Sequence, residues 1–208
     1  TFVSRIFGFC RDIMLAAFLG SGPIGEAFII AFSLPNIFRR FFAEGAFNAA
    51  FIPMFKKNMH NKKQSIEFTN NRLSMMILIL FIFTIISIII MPLLVFAMAS
   101  GFQNDVRFET SVIYGRITFP YIFFVSLSSL FAGILNSYGK FGVVSATPIF
   151  LNLFLIFAMI LSYILDLEVG IMLSISIPLS GILQLIVLIH TSRKLGYFPK
   201  LKIPKFNG

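Results

Sequence analysis

Six ionisable residues stand inside two apolar stretches near the start of the chain: Arg5, Arg11 and Asp12 in the first, Arg39, Arg40 and Glu44 in the second. An ionisable side chain at the centre of a membrane span costs about 2.5–3.5 kcal/mol on insertion scales, so such residues normally face a bundle interior or an aqueous cavity. Arg5 and Asp12 are seven positions apart and share nearly one helix face, whereas Arg11 points about 100° away from Asp12. Arg40 and Glu44 are spaced i,i+4 and can pair directly, which leaves Arg39 less neutralised within its own helix. Arg5, Arg11 and Arg39 are therefore the candidates for holding an anion, with Arg40 beside them. A guanidinium suits phosphate because its planar fork gives two parallel hydrogen bonds. Asp12, Glu44 and Glu26, which opens the second stretch, read as charge partners, and Glu44 as a structural partner of Arg40 rather than a proton carrier. The competing reading is that the arginines snorkel to headgroups. Arg5 fits that reading best among the set, and Arg116, at the end of a later stretch, is assigned to it.

Pro35 lies in Ser33-Leu-Pro-Asn-Ile37. Proline removes one helix hydrogen bond and clashes with the carbonyl four residues back, here Ala31. A kink or break is expected there, and its closeness to Arg39 suggests a hinge. Ser126, Ser128, Ser129, Gly133 and Asn136 cluster in a later stretch. Small and hydroxyl residues let membrane helices approach closely, so packing is the first reading and a polar cavity wall the second. Asn152 and Gln184 read as glue between helices. His60 and His190 read as solvated, and the one cysteine, Cys10, as a packing residue. No nucleophile–base pair, phosphate-binding glycine loop or metal-ligand spacing is present, so neither a catalytic centre nor a metal or other cofactor is expected. That pattern favours recognition or transport over chemistry.

These residues must be positioned by membrane helices. Hydrophobic residues make up 58% of the 208, charged residues 12%, and the net charge is +9. Soluble domains carry about 25% charged residues, and mean hydropathy here is +0.93. A soluble enzyme and a disordered chain are excluded because a globule of this size could not hide so much apolar surface, and a nucleic-acid-binding module because the basic residues flank apolar runs rather than fill polar segments. A helical span needs about 20 mostly apolar residues. Spans are expected at about 2–19, 27–55, 73–99, 112–136, 148–165 and 170–190, followed by a basic tail at 191–208. The fold class is thus all-α and polytopic, one lobe of six helices. The segment from Lys56 to Arg72, Lys140 and the tail are basic, while 20–25, 100–111 and 166–168 are neutral, mixed or acidic. The positive-inside rule places the first set, and both chain ends, in the cytoplasm. Thr1 is not a methionine and no secretory signal opens the chain, so a piece of a longer protein is expected.

The motifs Ser4-Arg-Ile-Phe-Gly-Phe-Cys-Arg-Asp12, Phe32-Ser-Leu-Pro-Asn-Ile-Phe-Arg-Arg-Phe-Phe-Ala-Glu-Gly-Ala-Phe47, Ile117-Thr-Phe-Pro-Tyr-Ile122 and Gly133-Ile-Leu-Asn136 resemble the MurJ (MviN) family of bacterial lipid II flippases. That family belongs to the multidrug/oligosaccharidyl-lipid/polysaccharide exporter superfamily. The resemblance runs through the whole chain and implies the N-terminal lobe of a two-lobe transporter in the bacterial inner membrane. It implies lipid II, membrane lipids and an absent C-terminal lobe as partners, and a role in peptidoglycan synthesis and cell shape. Arg5, Arg11 and Arg39 then match positions tied to substrate handling. The family's sodium site and a further cavity arginine belong to the other lobe. Two rival expectations are an exporter of another polyprenyl-linked saccharide and a polytopic enzyme acting on polyprenyl phosphate.

Overall fold

A computed structural model describes residues 2–40, 46–58, 60–197 and 200; of residues 3 and 46–50 the backbone alone is described. The described residues are almost entirely helical. In chain order the helices are α1 (Phe2–Leu19), α2 (Pro23–Arg39), α3 (Ala46–Asn58), α4 (Lys62–Ile89), α5 (Met91–Met98), α6 (Val106–Thr118), α7 (Tyr121–Ser137), α8 (Phe141–Leu165) and α9 (Val169–Lys194), with a 3-10 turn at Ser100–Phe102. Four segments are long and apolar enough to cross a bilayer: Lys62–Ile89, Val106–Ser137, Phe141–Leu165 and Val169–Lys194. They correspond to the last four expected spans. The first expected span is α1, an 18-residue helix carrying Arg5, Arg11 and Asp12. The second is divided between α2 and α3, and residues 41–45, Glu44 among them, lie outside the described residues.

Local chemistry moves several boundaries away from the hydropathy pattern. The expected polar loop at 56–72 is mostly helix. Asn61 caps α4 by accepting from the backbone N–H groups of Lys63 and Gln64, satisfying two of the free donors at a helix start. Lys62 to Arg72 then form the first turns of α4. Asp105 caps α6 in the same way through the Arg107 N–H, so the expected loop at 100–111 ends at Asp105. The expected span 73–99 is broken at Ile90, before Pro92 in the first turn of α5. Proline is well placed at a helix start, where its missing N–H has no partner to lose.

Of the kink or break expected at Pro35, the break is absent. Helix α2 continues through it to Arg39, so the chain does not break there. The Ala31 carbonyl, which loses its partner to the proline, accepts instead from the Thr118 hydroxyl of α6 at 3.1 Å. A neighbouring helix thus re-satisfies the freed backbone group, as membrane helices require.

The bundle is built round α7, which packs mainly on α9; α8 lies on α9, α1 on α8 and α2 on α6. Its interior is rich in small polar residues, and its surface is apolar. Phe81, Ile85 and Ile89 of α4 and Phe157, Tyr163 and Ile164 of α8 are exposed, while Ser126, Ser174 and Ser180 are buried. Glycine permits the closest approaches. A Cβ at Gly170 would overlap the Tyr114 hydroxyl, and one at Gly181 would stand 2.9 Å from the Tyr121 ring.

Candidate functional site: a charged node and a polar cleft

Arg11 is the centre of a hydrogen-bonded node. Its Nε and Nη2 donate to Asp12 Oδ1 at 3.0 and 2.6 Å, and its Nη1 donates to Asn152 Oδ1 of α8 at 2.8 Å. Asn152 Nδ2 donates back to the Ser4 carbonyl of α1 at 3.3 Å. Gly8 leaves room for this amide, whose nitrogen would lie 3.6 Å from a Cβ there. The long guanidinium arm overcomes the angular separation expected between Arg11 and Asp12. Asn152 acts as the interhelical glue its position suggested. Asp12 therefore pairs with its neighbour Arg11. Arg5 lies on the same helix with its side chain exposed.

Arg39, at the end of α2, lines an open cleft of about 240 Å³ together with Ser128, Asn136, Thr147 and Gln184 from α7, α8 and α9. The second reading of the serine cluster, a polar cavity wall, is the one observed at Ser128, Ser129 and Asn136. Gln184, read from sequence as glue, also faces this cleft. Arg40 is exposed. Its expected partner Glu44 lies outside the described residues, so that pairing does too.

Glu26 is not part of the cleft. Arg107 Nη1 donates to Glu26 Oε2 at 2.6 Å and Arg107 Nε to Asp105 Oδ2 at 2.7 Å, while the guanidinium lies 4.5 Å over the Phe102 ring. The Arg107 hydrogen bonds hold the Asp105 carboxyl below its ordinary value of 3.8. The clamp ties the start of α2 to the start of α6. The Tyr114 hydroxyl donates to Glu168 nearby. Arg107 was missed from sequence because the clamp spans 81 residues; its available signal was a lone arginine in a mixed-charge loop facing Glu26. Arg116, expected to snorkel, is exposed and donates to the Ile88 carbonyl at 3.3 Å, meeting one of the orphan acceptors at the end of α4.

Apolar helices closed round small buried polar side chains, with Arg11 and Arg39 half-buried, define an integral membrane protein. The sequence profile described as lipid II flippase MurJ matches residues 15–207, and the chain belongs to that family, one of flippases rather than enzymes. It is 38% identical over 213 residues to a probable lipid II flippase MurJ of Rhizobium tropici, covering 99% of this chain and 40% of that protein. It is 38% identical over 203 residues to the Rickettsia prowazekii (strain Madrid E) protein of the same description, covering 96% and 40%. A solved structure of lipid II flippase MurJ in an inward closed conformation superposes with a TM-score of 0.82 at 26% identity, covering 98% of this chain and 42% of the other. The chain thus spans about 40% of the length of these relatives.

Proposed function

We propose that this chain is the N-terminal lobe, residues 1–208, of a flippase that moves lipid II across the bacterial inner membrane for cell wall synthesis. The observation that carries the reading is the placement of Arg39 in a polar cleft of a lobe belonging to this family. In this reading α1 and the α2–α3 pair complete six spans. The basic loops, the N-terminus and the C-terminal tail face the cytoplasm. Arg5, Arg11, Arg39 and Arg40 supply positive charge for the diphosphate. Asp12, Glu26 and Glu44 position those cations or the helices that bear them, and Pro35 acts as the hinge. The polyprenyl tail stays in lipid, and rocking of this lobe against a second one gives alternating access. No cofactor is needed in this lobe, and the sodium site of the family, where used, belongs to the other.

Complementation of flippase depletion by the full-length protein tests the reading. Arg39→Ala abolishes growth at normal membrane abundance, because a phosphate contact is lost with little loss of packing. Arg39→Lys is impaired as well, since an ammonium lacks the bidentate fork. Full growth with Arg39→Ala overturns the site. Orientation is read in a Cys10→Ser background with single cysteines at the exposed positions Gln64 and Gln103. An impermeant thiol reagent labels position 103 in intact cells and spares position 64; the reverse pattern overturns the orientation.

A further inference from the structure

We infer that Ser128, Asn136 and Gln184 form a pocket for the sugar next to the anionic group that Arg39 holds, the class of ligand being a glycosyl phosphate headgroup. The inference rests on the flippase reading and deepens it. Ser128 and Gln184 are only 5% and 4% exposed. Ser128 Oγ, Asn136 Oδ1 and Gln184 Nε2 are buried without a hydrogen-bond partner, and all three residues line the same cleft. The Ser126, Thr84 and Ser192 hydroxyls are unpartnered as well but lie outside the cleft lining, and other buried hydroxyls are served locally. Ser129, Ser174, Ser176 and Ser180 each donate to a carbonyl of their own helix, which is how a packing serine discharges its donor. Buried polar atoms left unsatisfied are destabilising and few in native structures. Three of them round one cleft mark a place that a ligand completes.

Their chemistry selects the ligand. Gln184 offers a donor, Asn136 an acceptor and Ser128 either; an amide presents both senses whichever way it is turned. A bare phosphate only accepts, leaving Asn136 Oδ1 unmatched. An ammonium only donates, leaving Gln184 unmatched, and it would sit near the Arg39 cation. Hydroxyl and acetamido groups both donate and accept, so a sugar meets all three. The Tyr121 ring in the same lining supplies an apolar face. At about 30 Å³ per liquid water, a cleft of about 240 Å³ has room for a ring rather than one or two waters.

The test uses full-length protein in detergent with two probes, lipid II and sugar-free undecaprenyl diphosphate. Gln184→Met and Ser128→Ala remove the polar atoms at nearly constant shape. Each is expected to weaken lipid II binding by about fivefold or more, the loss of one hydrogen bond, while leaving undecaprenyl diphosphate binding unchanged. The melting temperature of the ligand-free variants is expected to hold or rise, since an unsatisfied group has gone. Wild-type affinity for both lipids in both variants overturns the pocket and leaves a cleft filled by water. Equal weakening of both lipids overturns the sugar assignment, and a lowered melting temperature with unchanged binding makes these residues packing elements. Failure of the wild type to bind either lipid overturns the flippase reading itself.

Discussion

Arg11 and Asn152 lie 141 residues apart and are joined by a 2.8 Å hydrogen bond that fastens α1 to α8. The arginine side chain is 20% exposed and Asp12 62%, so the pair is half in and half out of the lobe, with the amide on the inner side. A hydrogen bond to a charged group contributes about 1.5–3 kcal/mol. Asn152→Leu in the full-length protein is expected to lower unfolding stability in detergent by about that amount. Asn152→Asp keeps the acceptor for Arg11 but loses the amide donor to the Ser4 carbonyl, and is expected to lose less stability than Asn152→Leu. Equal losses for Leu and Asp would show that the amide oxygen is not what holds α1.

The outer clamp makes a pH prediction. Asp105 has its carboxyl held down by Arg107. A depressed carboxylate contributes stability above its ordinary value, 3.8 here, and that contribution is lost as pH falls through the lower folded value. Wild-type protein is therefore expected to lose stability more steeply than Asp105→Asn as the pH is lowered below 3.8. At neutral pH, a double-mutant cycle of Glu26→Gln and Arg107→Gln is expected to give a coupling of about 0.2–1 kcal/mol, as for partly exposed ion pairs. Additive effects would dissolve the clamp.

Four spans were legible in hydropathy because their apolar runs are long and uninterrupted. Their ends were not. Asn61 and Asp105 begin helices through cap geometry, and the polar residues that follow a cap look like loop when only hydropathy is read. The charged residues of α1 were legible as a set, because charge in an apolar run is conspicuous. The partner of Arg11 was not, nor that of Glu26 in α2, because Asn152 and Arg107 reach them from distant parts of the chain and spacing carries no signal at that range. Ser128 and Ser129 are adjacent, chemically identical and both in the cleft lining, yet Ser129 donates to the Ser126 carbonyl of its own helix while Ser128 Oγ has no partner; side-chain rotamer decides this, and sequence leaves it open.

At the end of the bundle where α9 finishes, Tyr197 is buried and its hydroxyl joins Ser65 at 2.8 Å and Tyr138 at 2.9 Å. Burial, then the bond to Tyr197, pushes the Tyr138 hydroxyl from 10.0 up to about 12. A hydroxyl with a raised value contributes stability below its ordinary value and loses it as pH rises through the folded one. Between pH 10 and about 12, wild-type protein is expected to lose stability more steeply than Tyr138→Phe. Parallel slopes in thermal unfolding would show that this hydroxyl stays out of the linkage.

Thr118 and Pro35 provide the sharpest test of how α2 is held. Thr118 is fully buried, and its hydroxyl is shared between the Ala31 carbonyl at 3.1 Å, which Pro35 deprives of a helix donor, and the Gly115 carbonyl of its own helix at 3.2 Å. Thr118→Val keeps the shape and removes that donor, leaving a buried acceptor unsatisfied at a cost of about 1–3 kcal/mol. Pro35→Ala restores a backbone N–H that can reach Ala31. In the Pro35→Ala background, Thr118→Val is therefore expected to cost much less, and the cycle of single and double variants reads the difference as a coupling energy. Undiminished cost in that background would mean that Thr118 acts by packing alone. The same variants separate stability from transport. Pro35→Ala is expected to raise the unfolding temperature, because it regains a helix hydrogen bond and loses a steric clash. If the proline is the hinge of the rocking motion, that more stable variant complements flippase depletion less well than the wild type. Full complementation by Pro35→Ala would remove the hinge role and leave Pro35 as a passive bend tolerated because Thr118 covers the carbonyl it frees.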